Sequence, residues 1–279
     1  MVEYQGKADK NPLMRQSMKK QHVSSNSYGM VIDLDKCTGC GTCTVSCASE
    51  NNLSVMPDES DKRRNIVWMR IYKVTNNKPF PHTEIGYFPR PCMQCDKNTP
   101  CVSVCPATAT GYDPNTGIVS QIYTRCVGCR YCMAACPYHA RVFNWWDSYF
   151  PKGKGLEMYL SPEVSPRMRG VVEKCTFCHH RLMRAKNKAY NENRRELEEN
   201  EYIPACSESC PSKAIIFGDL NNPEHEVYKL SKSPHAFRLL ERLKTEPKVY
   251  YLTKKDWLRK LGDNYLPGEY EPVKDIISD

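Results

Sequence analysis

Short apolar stretches recur along this chain, and each one runs into or out of a cysteine. YGMVIDLD, residues 28–35, and GIVSQIYT, residues 117–124, each lead into a cysteine-rich run. CPATATGY (105–112), CPYHARVF (136–143) and CPSKAIIFGD (210–219) each leave one through proline and turn small or apolar again. Partial alternation with β-branched and aromatic residues predicts short strands at these places. The repeated order is then strand, cysteine loop, short helical turn, strand, and the proline after the last cysteine of each run suits a helix start. IVWMRIYKVT, residues 66–75, predicts a further strand on a connecting segment. RLMRAKNKAYNENRRELEEN, residues 181–200, has helix-forming composition, but its basic residues come first and its acidic residues last. That order opposes the helix dipole and predicts a break near Asn191 or support from a neighbouring element. SPHAFRLLERL predicts a capped amphipathic helix from Ser233, KVYYL a strand, and the last twenty residues an irregular arm.

Composition changes this picture in one respect. The 279 residues include sixteen cysteines, all between Cys37 and Cys210. Disulfides, structural zinc and iron-sulfur clusters compete for them. The first 26 residues are polar and contain no apolar core of a secretory signal and no twin-arginine pair, and Arg63-Arg64 lies too deep to serve as one. No run approaches the ~20 apolar residues that span a bilayer, so a soluble or peripheral chain is expected. The formal charge of +8 suggests an anionic partner. If sixteen thiolates hold four clusters of roughly −2 each, however, the excess is offset internally, and no nucleic acid is expected.

The cysteines fall into four groups by spacing: Cys37, Cys40, Cys43, Cys47; Cys92, Cys95, Cys101, Cys105; Cys126, Cys129, Cys132, Cys136; and a split group of Cys175, Cys178, Cys206, Cys210. The first and third follow C-x2-C-x2-C-x3-C, and the second widens only its middle gap. Zinc is complete with two C-x2-C pairs. A third cysteine at the same interval wraps a loop around three corners of a cubane, and in the bacterial ferredoxin run the fourth cysteine binds the other cluster. Gly39, Gly41, Thr42 and Gly128 leave the loops free to bend tightly. Exchange of the fourth ligand gives four sets: Cys37, Cys40, Cys43 and Cys210; Cys47, Cys175, Cys178 and Cys206; Cys92, Cys95, Cys101 and Cys136; and Cys105, Cys126, Cys129 and Cys132. Four 4Fe-4S clusters are the expected cofactors, with iron bound through these cysteines. No thiol is left over, and no catalytic residue is expected in this chain.

YGMVIDLDKCTGCGTC, CVGCRYCMAACPYHARVFNW, RGVVEKCTFCHHR, CPSKAIIFGDL and AFRLLERLKTEPKVYYL closely resemble the four-cluster electron-transfer subunits of the DMSO reductase and polysulfide reductase class. That class includes the iron-sulfur portion of alternative complex III and related quinone-linked complexes. The resemblance covers roughly residues 28 to 252. It implies an electron wire between a catalytic subunit of molybdopterin type, or a multihaem cytochrome, and an integral membrane subunit that handles quinone. It also implies a peripheral position in a membrane-bound complex, on the cytoplasmic face or exported with a signal-bearing partner. In some relatives the position of Cys129 is substituted and the site resembles a 3Fe-4S holder; here the cysteine is present.

The fold expected is α+β and loop-rich: two pseudo-symmetric bacterial 2x4Fe-4S ferredoxin-like units with insertions and a C-terminal extension. A polar arm (1–27) precedes the first half of one unit with a connecting strand (28–83). The contiguous second unit (84–145) follows, then a linker with the rest of the first unit (146–220, insertion 179–205) and the extension (221–279). His179 and His180 are read as local hydrogen-bonding or partner-facing residues rather than ligands. Arg130, Arg141, Lys174 and Arg181 either raise nearby cluster potentials or are solvated, and Trp145 and Trp146 belong either to a subunit interface or to packing around a cluster. A free-standing polyferredoxin and a zinc-stabilised binding module are the competing readings. Metal analysis with EPR on anaerobically prepared protein separates them: iron with sulfide is expected, and about four irons or fewer per chain would contradict four clusters.

Overall fold

The computed structural model describes residues 26–54, 66–147 and 156–263. The N-terminal arm lies almost wholly outside these residues, as does the C-terminal arm from residue 264 onward. At the centre is β1 (Tyr28–Asp33), buried on both faces. It runs antiparallel to β8 (Ile215–Asp219) with Met30 opposite Phe217, and parallel to β10 (Val249–Leu252) with Met30 opposite Val249. A short β9 (Ala236–Phe237) closes the far edge of this four-stranded sheet. Tyr28, Met30 and Ile32 enter the main core, while Val31 points the other way against Val227 and Leu252, as the two-residue period of a strand requires. Tyr28, Phe177, Tyr202 and Phe217 form a ring cluster with centroids 4.9 to 5.8 Å apart, at distances where aromatic pairs contribute about 0.5–1.5 kcal/mol beyond burial.

Three two-stranded ribbons surround the sheet. β2 (Arg70–Thr75) pairs with β3 (Ile85–Arg90), β4 (Thr110–Tyr112) with β5 (Val119–Gln121), and β6 (Val142–Phe143) with β7 (Val172–Glu173), all antiparallel. The strand expected over 66–75 therefore begins later, at Arg70, because Ile66, Trp68 and Met69 bury their side chains without a pairing partner. Helices α1 (Thr42–Glu50), α2 (Pro100–Ser103), α3 (Tyr131–Ala134) and α5 (Ala205–Glu208) each carry cysteines. The longest, α4 (His179–Asn191), stops where the charge order predicts a break.

Three local expectations are corrected. The prolines that follow the fourth cysteines do not start helices: α2, α3 and α5 end before Pro106, Pro137 and Pro211, which occupy the succeeding turns, where a residue that cannot continue a helix is favoured. The helix expected from Ser233 is absent. Residues 236–237 form β9, Phe237 pairs with Tyr251, and Phe237 and Leu239 are buried with Arg238 between them, so cross-strand packing overrides a helix-like composition. The neighbouring helix is instead α6 (Glu226–Ser231), and α7 (Asp256–Asp263) occupies the start of the expected irregular arm.

One buried ion pair joins distant segments. Arg167 Nε lies 3.1 Å from Glu173 Oε2, with side chains 2% and 1% exposed. Asn144 Nδ2 donates to the same carboxylate at 3.3 Å, and Arg167 Nη2 donates to the Asn52 carbonyl at 3.0 Å. Arg167→Ala leaves Glu173 buried without its cation, and a loss of about 3–5 kcal/mol is expected in denaturant unfolding. Replacing both members by methionine should recover most of that loss.

Candidate iron-sulfur sites

Each site begins as a loop whose backbone turns its cysteines inward. In the 126–132 loop Gly128 has φ +72°, and a Cβ there would sit 2.3 Å from the Gly170 carbonyl oxygen, so only glycine lets the loop lie against the 168–170 segment. Gly39 repeats the arrangement against the ring of Tyr87. These turns, with one short helix each, bring together thiols that the sequence separates widely.

Cys37, Cys40, Cys43 and Cys210 line one cavity. Cys92, Cys95, Cys101 and Cys136 line a second. Cys105, Cys126, Cys129 and Cys132 line a third. Cys47, Cys175, Cys178 and Cys206 are all buried; burial first, and then negative charge on the other three, pushes the Cys47 thiol up. Among the described residues no three His, Cys, Asp or Glu side chains converge closely enough to hold a single metal ion.

The donor chemistry fits a thiolate-bound cluster. Backbone N–H groups of Ala109, Val172, Phe177 and Ala214 donate to the sulfurs of Cys105, Cys126, Cys175 and Cys210 at 3.2 to 3.5 Å. Asn51 Nδ2 lies 3.9 Å from Cys47 Sγ and 3.7 Å from Cys178 Sγ. Such donors stabilise sulfur that carries negative charge. Burial opposes that charge: it pushes Cys47 and Cys206 well above the ordinary thiol range and Cys43, Cys95 and Cys175 up to about 12. Cys40 is lowered by its hydrogen bonds to Thr42, and at Cys105 burial is outweighed by the N–H groups of Thr110, Ala109 and Ala107. The interior thiols therefore need a bound cation before they ionise.

Charge on one set is felt by thiols of another. Beyond the effect of burial, Cys132 of one set is raised by Cys101 of the next, Cys175 by Cys92, and Cys206 by Cys43. Exposed cysteines, Cys129 and Cys40, occur only in the two outermost sets.

His180 Nε2 bonds Glu50 Oε1 at 2.7 Å, and Arg181 clasps both oxygens of Glu50 at 2.6 and 2.7 Å while reaching Glu208. The bonds from Arg181 and His180 hold the Glu50 carboxyl down at about 2. His179 is half-buried and, through desolvation, lowered in pKa. Lys174 is fully buried, donating to the carbonyls of Val119 and Cys175. Arg141 is buried and Arg130 is exposed, its guanidinium 5.2 Å from the Phe143 ring centre and 5.0 Å from that of Trp145; Trp145 and Trp146 are both half-buried. Sequence reasoning missed Glu50 and Asn51. Their position one helical turn after Cys47 was the available signal.

The family comparisons agree with this chemistry. Residues 83–155 and 125–214 each match a 4Fe-4S dicluster domain, and residues 28–49 match a 4Fe-4S binding domain. The chain is 59% identical over 249 residues to the menaquinone reductase iron-sulfur cluster-binding subunit of Nitratidesulfovibrio vulgaris, covering 88% of this chain and 96% of that one. The chain belongs to the family of iron-sulfur reductase subunits. The B subunit of polysulfide reductase from Wolinella succinogenes is 34% identical over 232 residues, covering 83% of this chain and 96% of its own. The arsenate respiratory reductase iron-sulfur subunit of a Shewanella species is 33% identical over 250 residues, covering 80% and 95%. Membership makes ferredoxin-like 4Fe-4S domains the fold and 4Fe-4S clusters the cofactors of this subunit. Gly128→Ala is expected to push the 126–132 loop off the Gly170 carbonyl, read as reduced iron retention and a changed EPR spectrum in otherwise folded protein.

Proposed function

We propose that this chain is the electron-transfer subunit of a membrane-associated, quinone-linked respiratory reductase, carrying four 4Fe-4S clusters on sixteen thiolates. The observation that carries this reading is the gathering of thiols far apart in the sequence, with four cysteines lining each of three cavities and the exposed thiols Cys40 and Cys129 falling in two different sets. Cys37, Cys40, Cys43 and Cys210 are assigned to one terminal cluster, and Cys105, Cys126, Cys129 and Cys132 to the other. Cys47, Cys175, Cys178 and Cys206 hold the inner neighbour of the first, and Cys92, Cys95, Cys101 and Cys136 the inner neighbour of the second. When bound, each cluster supplies one-electron storage. The chain's own residues bury most of the inner thiols, hold sulfurs with N–H donors, and leave Cys40 and Cys129 open toward partners.

The two-unit reading follows from the same pattern. One ferredoxin-like unit is contiguous (84–145); the other is assembled from 28–83 and 146–220, a reading supported by the antiparallel pairing of β1 with β8 across it. Names among the relatives, a menaquinone reductase and a polysulfide reductase, favour a quinone-handling membrane subunit at one end. A catalytic subunit of molybdopterin type, or a multihaem cytochrome, takes the other end. No helix among the described residues is long and apolar enough to cross a membrane, which suits a peripheral subunit.

Purification from the native membrane under mild detergent, with identification of the accompanying subunits, tests the reading. Co-purification with a redox-active subunit and a multi-span membrane subunit is expected; a partnerless protein found wholly in the soluble fraction would be a polyferredoxin instead.

A further inference from the structure

Arg141 is only 5% exposed, yet no carboxylate among the described residues pairs with it. One terminal nitrogen, Nη1, donates to Thr110 Oγ1 at 3.2 Å and Gln121 Oε1 at 3.0 Å, two neutral groups that also bond each other at 2.7 Å. The other, Nη2, is buried with no hydrogen-bond partner. A buried guanidinium left in this state is strongly unfavourable unless a negative charge lies close.

Its position supplies that charge. Arg141 lines the cavity of Cys92, Cys95, Cys101 and Cys136, while its partners Thr110 and Gln121 line the cavity of Cys105, Cys126, Cys129 and Cys132. The guanidinium therefore stands in the wall between an inner and an outer site. At the Cys47 site the comparable cation, Arg181, is already neutralised by Glu50 and Glu208.

We propose that Arg141 is a charge-compensating residue shared by the Cys92 and Cys105 sites, raising the reduction potential of both relative to their values without it. The inference rests on the cluster assignment above. Each site gains one electron from one neighbour and gives one to the next; Arg141 keeps its charge and its protons throughout, and favours the more negative, reduced form of both sites. It positions charge and takes no part in ligation.

The test is an EPR-monitored potentiometric titration of the anaerobic holoprotein carrying Arg141→Gln, Arg141→Met or Arg141→Lys. In the neutral variants two of the four midpoints are expected to fall, each by roughly tenfold in the reduction equilibrium, ~59 mV for one electron, with iron content unchanged. Arg141→Lys should keep all four near wild type. Unchanged midpoints in an iron-replete neutral variant, or an equal shift of all four, would overturn the proposal. Should both neutral variants lose iron, the lysine variant decides. Retained iron and midpoints support charge compensation; loss of iron there too would make the role geometric and the proposal wrong. A wild-type titration without four one-electron centres would instead remove the functional reading on which the proposal stands.

Discussion

The structure depends on putting anionic sulfur inside a protein. Buried thiols resist ionisation, as Cys47 and Cys206 show by their raised pKa values, and a cluster held by four thiolates keeps a net negative charge that the interior must absorb. Three responses are visible. Backbone N–H groups point at sulfurs, loops turn tightly enough to present them, and cations are buried where no carboxylate calls for them. Lys174 has no side-chain counter-ion among the described residues and donates only to carbonyls. Lys248, also buried, is by contrast paired with Asp96 at 3.4 Å and donates to the Gly117 carbonyl. The positive excess of the sequence is thus partly an internal property rather than a sign of an external polyanion.

The same constraint explains why the apolar core is divided. The main cluster of buried residues includes cysteines alongside Met30, Ile32, Phe217 and Tyr251, and a second, small cluster is built around Cys101, Cys132, Val119 and Val172. Apolar side chains here serve as walls around sites as much as an interior of their own. The central sheet closes over a long span because β1 pairs with strands that follow it by nearly the length of the chain. Cys210 and the Cys37–Cys43 loop, far apart in the sequence, consequently line one cavity.

The outer ends differ in chemistry. At the Cys126–Cys132 loop Val127 is 70% and Tyr131 59% exposed, with Arg125, Arg130 and Arg169 exposed nearby in the sequence or on the adjoining segment. At the Cys37–Cys43 loop Val45 is 61% exposed and Cys40 is open to solvent, with Asp35, Lys36 and Lys213 exposed nearby in the sequence. The first end is arginine-rich and the second carries both signs of charge, so charge complementarity selects different partners for them.

Spacing alone determined the chemistry of this chain: C-x2-C-x2-C-x3-C admits few metals, and its repetition names the cofactor before any coordinate is known. The strands at 28–33, 215–219 and 249–252 were legible because alternation and β-branching are local properties. The segment after Ser233 was not, because Phe237 answers to Tyr251 rather than to residues three or four places along a helix. Likewise nothing local announces that Glu50 will meet His180 and Arg181, or that Arg141 will stand between two cavities with no carboxylate beside it among the described residues. Ligand type is written in residue identity and interval, whereas burial, charge compensation and the order of sites arise from contacts between segments far apart in the chain, and only the folded structure decides those.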